Sequence, residues 1–297
     1  MSPRKQRWQK YRADLPALSR LILSFTINRV YKIRNDYAAR YITGDGYEIG
    51  AQNSPVSCDN ANKVVYIDYL SRRESSQKYH IPEDKCVDVD IIADAAQLDA
   101  IPSNSASFII ANHVLEHCPD PIATLLGWLR ILKAKGVLFL TLPNYKSNEF
   151  DFEKTPTPVS HLVQDHERAG NKEDITTEHI HEHIRIIDGI DPSDTELFQQ
   201  RYEAIIGSNL HTHYHVFDRS NVLELLHVIH QQRPITLINS FSFDNSFELL
   251  FIIEKGNNQE FQGPMPERQD RLFNFALLLK HMVIFLFSKT AAGRRSR

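Results

Sequence analysis

Glu48-Ile49-Gly50-Ala51-Gln52-Asn53 sets a carboxylate just ahead of a glycine turn, and Asp68 ends the next apolar run 20 residues after Glu48. In open α/β sheets, nucleotide-type ligands bind beyond the carboxyl ends of the strands. A glycine there lets the backbone approach, and an acidic side chain about 20 residues on accepts ribose hydroxyls. Asp68 fits that role by spacing, although a turn glycine followed by a solvated aspartate gives the same pattern. A second concentration of chemistry lies downstream, where eight of the 14 histidines fall: His161, His166, His179, His181, His183, His211, His213 and His215. Alternate residues on a strand share one face and could ligate a metal. If residues 178–183 are helical instead, His179 and His183 share a face and His181 turns away. No cysteine accompanies them, and no metal site is expected.

His113-Val114-Leu115-Glu116-His117 matches the H-x-x-E-H pattern of a zinc protease, whose chemistry needs both histidines one turn apart on a helix. Here the five residues close a strand-like run, and Cys118-Pro119-Asp120-Pro121 leaves no room for a helix. The elements that must hold these groups alternate. Strand-like runs occur at Tyr47–Ile49, Val64–Ile67, Ile91–Ala93, Phe108–Ala111 and Val137–Leu140, with helical patterns between them, which predicts a parallel sheet with crossover helices. A helix is expected from Pro121 to Lys133, with Asp120 as N-cap and Gly136 just past its end. Asp218 to His230 reads as another capped helix, followed by strands at Ile235–Ile238 and Phe247–Ile253. Five segments result: N-terminal helices (1–45), a core (46–143), an inserted histidine-rich cap (144–216), the rest of the core (217–256), and a linker with a terminal apolar helix (257–297).

Read in order, five motifs resemble the class I S-adenosylmethionine-dependent methyltransferases, in particular the type 11-like branch. They are Tyr47-Glu48-Ile49-Gly50-Ala51, Tyr66-Ile67-Asp68-Tyr69, Ile91-Ile92-Ala93-Asp94-Ala95, Ser107 to His117, and Leu132 to Asn144. The resemblance implies a Rossmann-like seven-stranded α/β sheet and S-adenosylmethionine as cofactor. It implies that Gly50 and its loop, with Glu48, Ala51 and Asn53, cradle the methionine portion, and that Asp68 with Tyr69 holds the ribose. Asp94 and Ala95 contact the adenine, and Asn112 and His113 sit beside the cofactor. In place of the family's second and third glycines stand Gln52 and Ser54, which narrows the space for backbone approach. A hydroxyl acceptor must lose its proton during methyl transfer, and imidazole suits that task. His166, His179, His213 and His215 are therefore the candidate bases. The expected acceptor is small and polar, a saccharide or polysaccharide precursor. The alternative is a non-catalytic Rossmann-type binding or scaffolding module, and an NAD enzyme is disfavoured because G-x-G-x-x-G is absent.

Composition narrows the partners. Lys and Arg total 34 against 37 Asp and Glu, a net charge of −3, which excludes the polycationic surface that nucleic acid needs. Cys58, Cys86 and Cys118 are odd in number and scattered, so a reducing, cytoplasmic setting is expected. Leu15 to Ile27 contains Arg20 and lacks a cleavage site, so it is not read as a signal peptide. Leu272 to Phe287, flanked by Lys289, Arg294, Arg295 and Arg297, reads as an apolar helix that either docks on the core or lies on an anionic membrane surface.

Overall fold

The computed structural model describes residues 3–168, 172–208, 212–242 and 246–256. His211, the linker and the expected terminal helix lie outside the described residues. Seven strands form one sheet: β1 (Gly44–Ile49), β2 (Ala61–Asp68), β3 (Ile91–Ile92), β4 (Ala106–Asn112), β5 (Leu132–Pro143), β6 (Ile235–Phe241) and β7 (Glu248–Lys255). Their order is β3-β2-β1-β4-β5-β7-β6. β1 to β5 pair in parallel, and β7 runs antiparallel to both β5 and β6. This is the Rossmann-like α/β sheet that the resemblance implied. The order reverses between β1 and β4, and in such sheets that switch point opens a crevice at the carboxyl ends.

The two-residue side-chain period of the central strands supplies both faces. Phe108, Ile110, Phe139, Leu250 and Ile252 face one way and pack with Phe25, Ile33, Tyr37 and Ala38, which belong to the long N-terminal helix α2 (Ala17–Tyr41) that follows α1 (Pro3–Asp14). Ile109, Ala111, Leu138, Leu140, Phe251 and Ile253 face the other way. They pack with Leu125, Trp128 and Leu129 of α4 (Pro121–Ile131) and with Val222, Leu225 and Ile229 of α8 (Arg219–Gln232). Burial on both faces explains why these strands read as continuous apolar runs. α3 (Arg72–Tyr79) crosses between β2 and β3 and starts with a capping box of Ser71 and Glu74.

Local signals place the helix starts. Asp120 accepts the Ala123 N–H at 2.9 Å with Pro121 in the first turn, and Asp218 forms a reciprocal box with Asn221. The helix expected to reach Lys133 ends at Ile131. Leu132 is already extended and pairs with Ala106 of β4, and Lys135 takes a left-handed φ of 60° before β5 continues from Gly136. Strand pairing that no local pattern encodes thus overrides helical spacing at 132–133.

Residues 144–216 hold α5 (Val159–Glu167), α6 (Lys172–His183), one π turn at Ile184–Asp188, and α7 (Thr195–Gly207). Leu162 of α5 is fully buried in the cluster shared with α4 and α8, while Ile180, Ile184 and Ile205 form a smaller cluster of their own. Among the described residues, no helix is long and apolar enough to cross a membrane.

Candidate functional site

A cleft of about 570 Å³ opens where β1, β2 and β4 end. Gly50, immediately after β1, has φ +70°, and a Cβ there would stand 2.8 Å from Val114 Cγ2 across the cleft wall. Both the left-handed backbone and the close approach call for glycine. Gln52 takes φ 47° without that freedom. Its carbonyl accepts the Val87 N–H at 2.8 Å, and its side chain bonds to Tyr79. The backbone therefore follows the left-handed path without the expected second glycine, and the Gln52 side chain becomes part of the cleft wall.

Asp68 ends β2 and is 4% exposed. Its Oδ1 accepts the Leu70 N–H at 3.3 Å, whereas the buried Oδ2 takes no hydrogen bond from any described residue. Burial raises its pKa, opposed by the Leu70 and Tyr69 N–H groups. Beside it the Tyr69 and Tyr79 hydroxyls meet at 2.5 Å, and Lys78 Nζ lies 3.1 Å from Tyr69. Asp94 and Ala95 line the far wall. The Asp94 carboxylate accepts the Ala96 N–H at 2.8 Å, and the Ala95 carbonyl accepts Trp128 Nε1–H at 2.9 Å, which ties this turn to α4.

Gly50, Asp68, Tyr69, Asp94, Ala95 and His113 all line the cleft, whereas Glu48, Ala51, Asn53 and Asn112 do not. Glu48 is fully buried; its carboxylate accepts the Val56 N–H at 3.0 Å and lies 3.5 Å from Asn112 Nδ2, so it fixes the loop after Gly50 from behind. Asn112 in turn accepts from Thr141 at 3.0 Å. Burial drives Glu48 up to about 7 despite the Val56 bond and the Arg34 charge. Folding therefore holds the Glu48 proton more tightly than the unfolded chain does. The associated stability is complete below the unfolded carboxylate range and is lost as pH rises to about 7. Glu48→Gln is accordingly expected to leave thermal stability unchanged at acidic pH and to raise it by about 1–2 kcal/mol at alkaline pH, as measured by paired melts.

None of the four candidate bases lines the cleft. His166 Nδ1 sits 2.9 Å from Asp120, the cap of α4. His213 Nδ1 sits 2.6 Å from Asp151, beside a separate cavity of about 230 Å³. His179 and His215 are buried against Asp165, and burial pushes His215 down to about 4. α6 settles the spacing question at 178–183: His179 and His183 face inward and His181 outward. The imidazoles in the cleft wall are His113 and His117, joined by Thr176 of α6 and by Tyr214. His113 leaves β4 at φ 54° and lies 3.1 Å from Glu248, while His117 ends a single 3-10 turn, Leu115–His117, with Nδ1 2.9 Å from the Thr212 carbonyl. His113 directly follows a strand and His117 ends a separate three-residue turn, so the two do not stand one turn apart on a helix as the zinc-protease pattern requires. In the sequence Glu116 and His117 read as structural, which misses His117, whose place just past the end of β4 is the signal that could have found it; Thr176 and Tyr214 carry no comparable mark.

Residues 46–140 match the family model described as a methyltransferase domain. No curated protein matches the chain. Among solved structures, a putative zinc-dependent alcohol dehydrogenase from Rhodobacter sphaeroides is 16% identical with a TM-score of 0.44, over 76% of this chain and 90% of that one. A putative S-adenosyl-L-methionine-dependent methyltransferase from Methanococcus maripaludis is 14% identical with a TM-score of 0.40, over 82% and 93%. An N-methyltransferase from Bradyrhizobium japonicum, in complex with S-adenosyl-L-homocysteine, is 11% identical with a TM-score of 0.42, over 77% and 87%.

Proposed function

We propose that the chain is a class I S-adenosylmethionine-dependent methyltransferase whose cleft methylates a small polar acceptor of the saccharide class, a reading supported by the match of residues 46–140 to a methyltransferase domain. The observation that carries the cofactor assignment is that Asp68 lines the same cleft as Gly50 while its buried Oδ2 has no hydrogen-bond partner among the described residues. An orphaned carboxylate oxygen costs desolvation energy unless a ligand hydroxyl bonds to it, and a ribose supplies two hydroxyls. Gly50 gives the backbone approach for the methionine portion, and Asp94 with Ala95 forms the turn that meets the adenine. When bound, S-adenosylmethionine supplies an electrophilic methyl group. The chain's own task is then to align the acceptor and take its proton. Thr176 and His117 offer polar contacts to a polyol, and the Tyr214 ring offers an apolar face to a sugar ring.

Calorimetric titration tests this reading. Wild-type protein is expected to bind S-adenosylmethionine, and Asp68→Ala to weaken binding by about 1.5–3 kcal/mol, the worth of hydrogen bonds to a charged group. Absence of heat and of a thermal shift with both the cofactor and S-adenosylhomocysteine would sink it. Transfer of labelled methyl to a panel of saccharides and lipid-linked saccharides then tests the acceptor class, and labelling confined to other substrates would reject it. Contact between the basic C-terminal segment and an anionic surface belongs to the same reading for a lipid-linked acceptor. Flotation with anionic vesicles checks it, and a full-length chain that stays unbound at low salt removes it.

A further inference from the structure

Behind the acceptor side of the cleft, four side chains from three segments converge. His161 and Asp165 stand one turn apart on α5, His179 comes from α6, and His215 follows α7. Nε2 of the three imidazoles lies 3.3, 3.2 and 3.0 Å from a single oxygen, Asp165 Oδ2. The ring centroids are 4.6, 5.4 and 6.2 Å apart with the planes steeply inclined, and the four donor atoms all lie within 4.8 Å of one another. Asp165, His179 and His215 are buried, whereas the His161 side chain is 42% exposed and opens the group to solvent.

Hydrogen bonds from His179 and His215 already fill the two lone pairs of Asp165 Oδ2, so the approach of a third imidazole, His161 at 3.3 Å, is not accounted for by hydrogen bonding. A shared central cation accounts for it better. A tetrahedral ion with metal–ligand bonds of about 2.0–2.1 Å sets its donors about 3.3 Å apart, and the three nitrogen–oxygen separations fall at or just under that edge. The donor set also selects the ion. Imidazole nitrogens with one carboxylate suit zinc and its transition-metal neighbours, whereas magnesium and calcium require oxygen donors.

We propose that His161, Asp165, His179 and His215 bind a zinc-class divalent ion in a closed, four-ligand site. The sequence pattern assigned His179 and His215 to the acceptor; the three-dimensional grouping gives them to the ion instead. Four protein donors mark a structural rather than a catalytic site. The ion clamps α5, α6 and the segment after α7 together. It thereby sets the two insert residues of the cleft wall: Tyr214, adjacent to His215 and stacked on His179 at 5.5 Å, and Thr176, one turn before His179 on α6.

Metal analysis of the full-length protein tests this without cofactor or acceptor, so its outcome is independent of the methyltransferase assay. Protein from zinc-supplemented medium is expected to retain about one zinc per chain, and cobalt(II) replacing it to give the intense visible absorption of a tetrahedral site. His161→Ala, at a half-exposed helix position, is expected to weaken zinc binding at least about tenfold and to abolish that absorption. His213→Ala, in the neighbouring group of Glu116, His117 and His213, is expected to leave both unchanged. The proposal is overturned if the wild type holds no zinc and titration with zinc or cobalt raises neither melting temperature nor tetrahedral absorption. It is equally overturned if binding survives His161→Ala and disappears with His213→Ala.

Discussion

Replacing His117 with alanine is expected to lower turnover by about 10²–10⁴-fold, the usual contribution of a general base, while leaving cofactor affinity within about a factor of two. The expectation rests on position and tautomer. His117 lines the cleft, and its Nδ1 lies 2.9 Å from the Thr212 carbonyl. A carbonyl only accepts, so Nδ1 carries the proton and Nε2 the basic lone pair. Glu116 lies behind it, fully buried, with neither carboxylate oxygen bonded to any described residue and Oε1 4.0 Å from His117 Nε2. Burial raises the Glu116 pKa, opposed by the positive charges available on His113 and His213. In its anionic form Glu116 favours the imidazolium that forms when His117 takes the acceptor's proton. The measurement is S-adenosylhomocysteine release with the acceptor found by label transfer, across pH, alongside cofactor titration. Unchanged turnover, or a loss matched by equal loss of cofactor binding, would remove His117 as the base.

Arg34→Met is expected to destabilise the fold by about 3–5 kcal/mol, because it strands a buried carboxylate. Arg34 of α2 meets Glu248 at the start of β7, with Nε 3.1 Å from both oxygens and Nη2 2.5 Å from Oε2; the two side chains are 8% and 6% exposed. His113 adds a contact at 3.1 Å from the other side. Burial alone would raise the Glu248 pKa, but the Arg34 charge and the His113 and Arg34 bonds outweigh it and hold the carboxyl below its usual range. The stability from this pair is therefore present above the unfolded carboxylate pKa and is lost as pH falls through the lower folded value. This window lies on the acid side of the one set by Glu48. Urea unfolding at neutral pH measures the loss, and Arg34→Met with Glu248→Met is expected to recover most of it. A single variant within about 1 kcal/mol of wild type would show that the pair contributes little to holding α2 on the sheet.

The sequence by itself determined the strand series, the caps at Asp120 and Asp218, and the glycine turn with Asp68 at the ligand-binding end of the sheet. All of these are local: side-chain period, a capping oxygen three residues from its amide, or a backbone angle open to glycine. It also placed Asp94, Ala95 and His113 at strand ends, from which they reach the cleft. It did not determine the partners of the histidines. His161, His179 and His215 are separated by 18 and 36 residues, and helical spacing within α6 says nothing about Asp165 on α5. Tertiary structure alone decided that His213 turns to Asp151, that His215 turns to Asp165, and that Glu48 supports the loop rather than lining the cleft. It also decided that Arg34 finds Glu248 across 214 residues of chain, and that Leu132 leaves its helix to pair with Ala106. The reason is the same in each case. A buried charge or an unpaired strand edge must be satisfied by whatever group packing brings within reach, and that group is fixed by how the layers stack rather than by its distance along the chain.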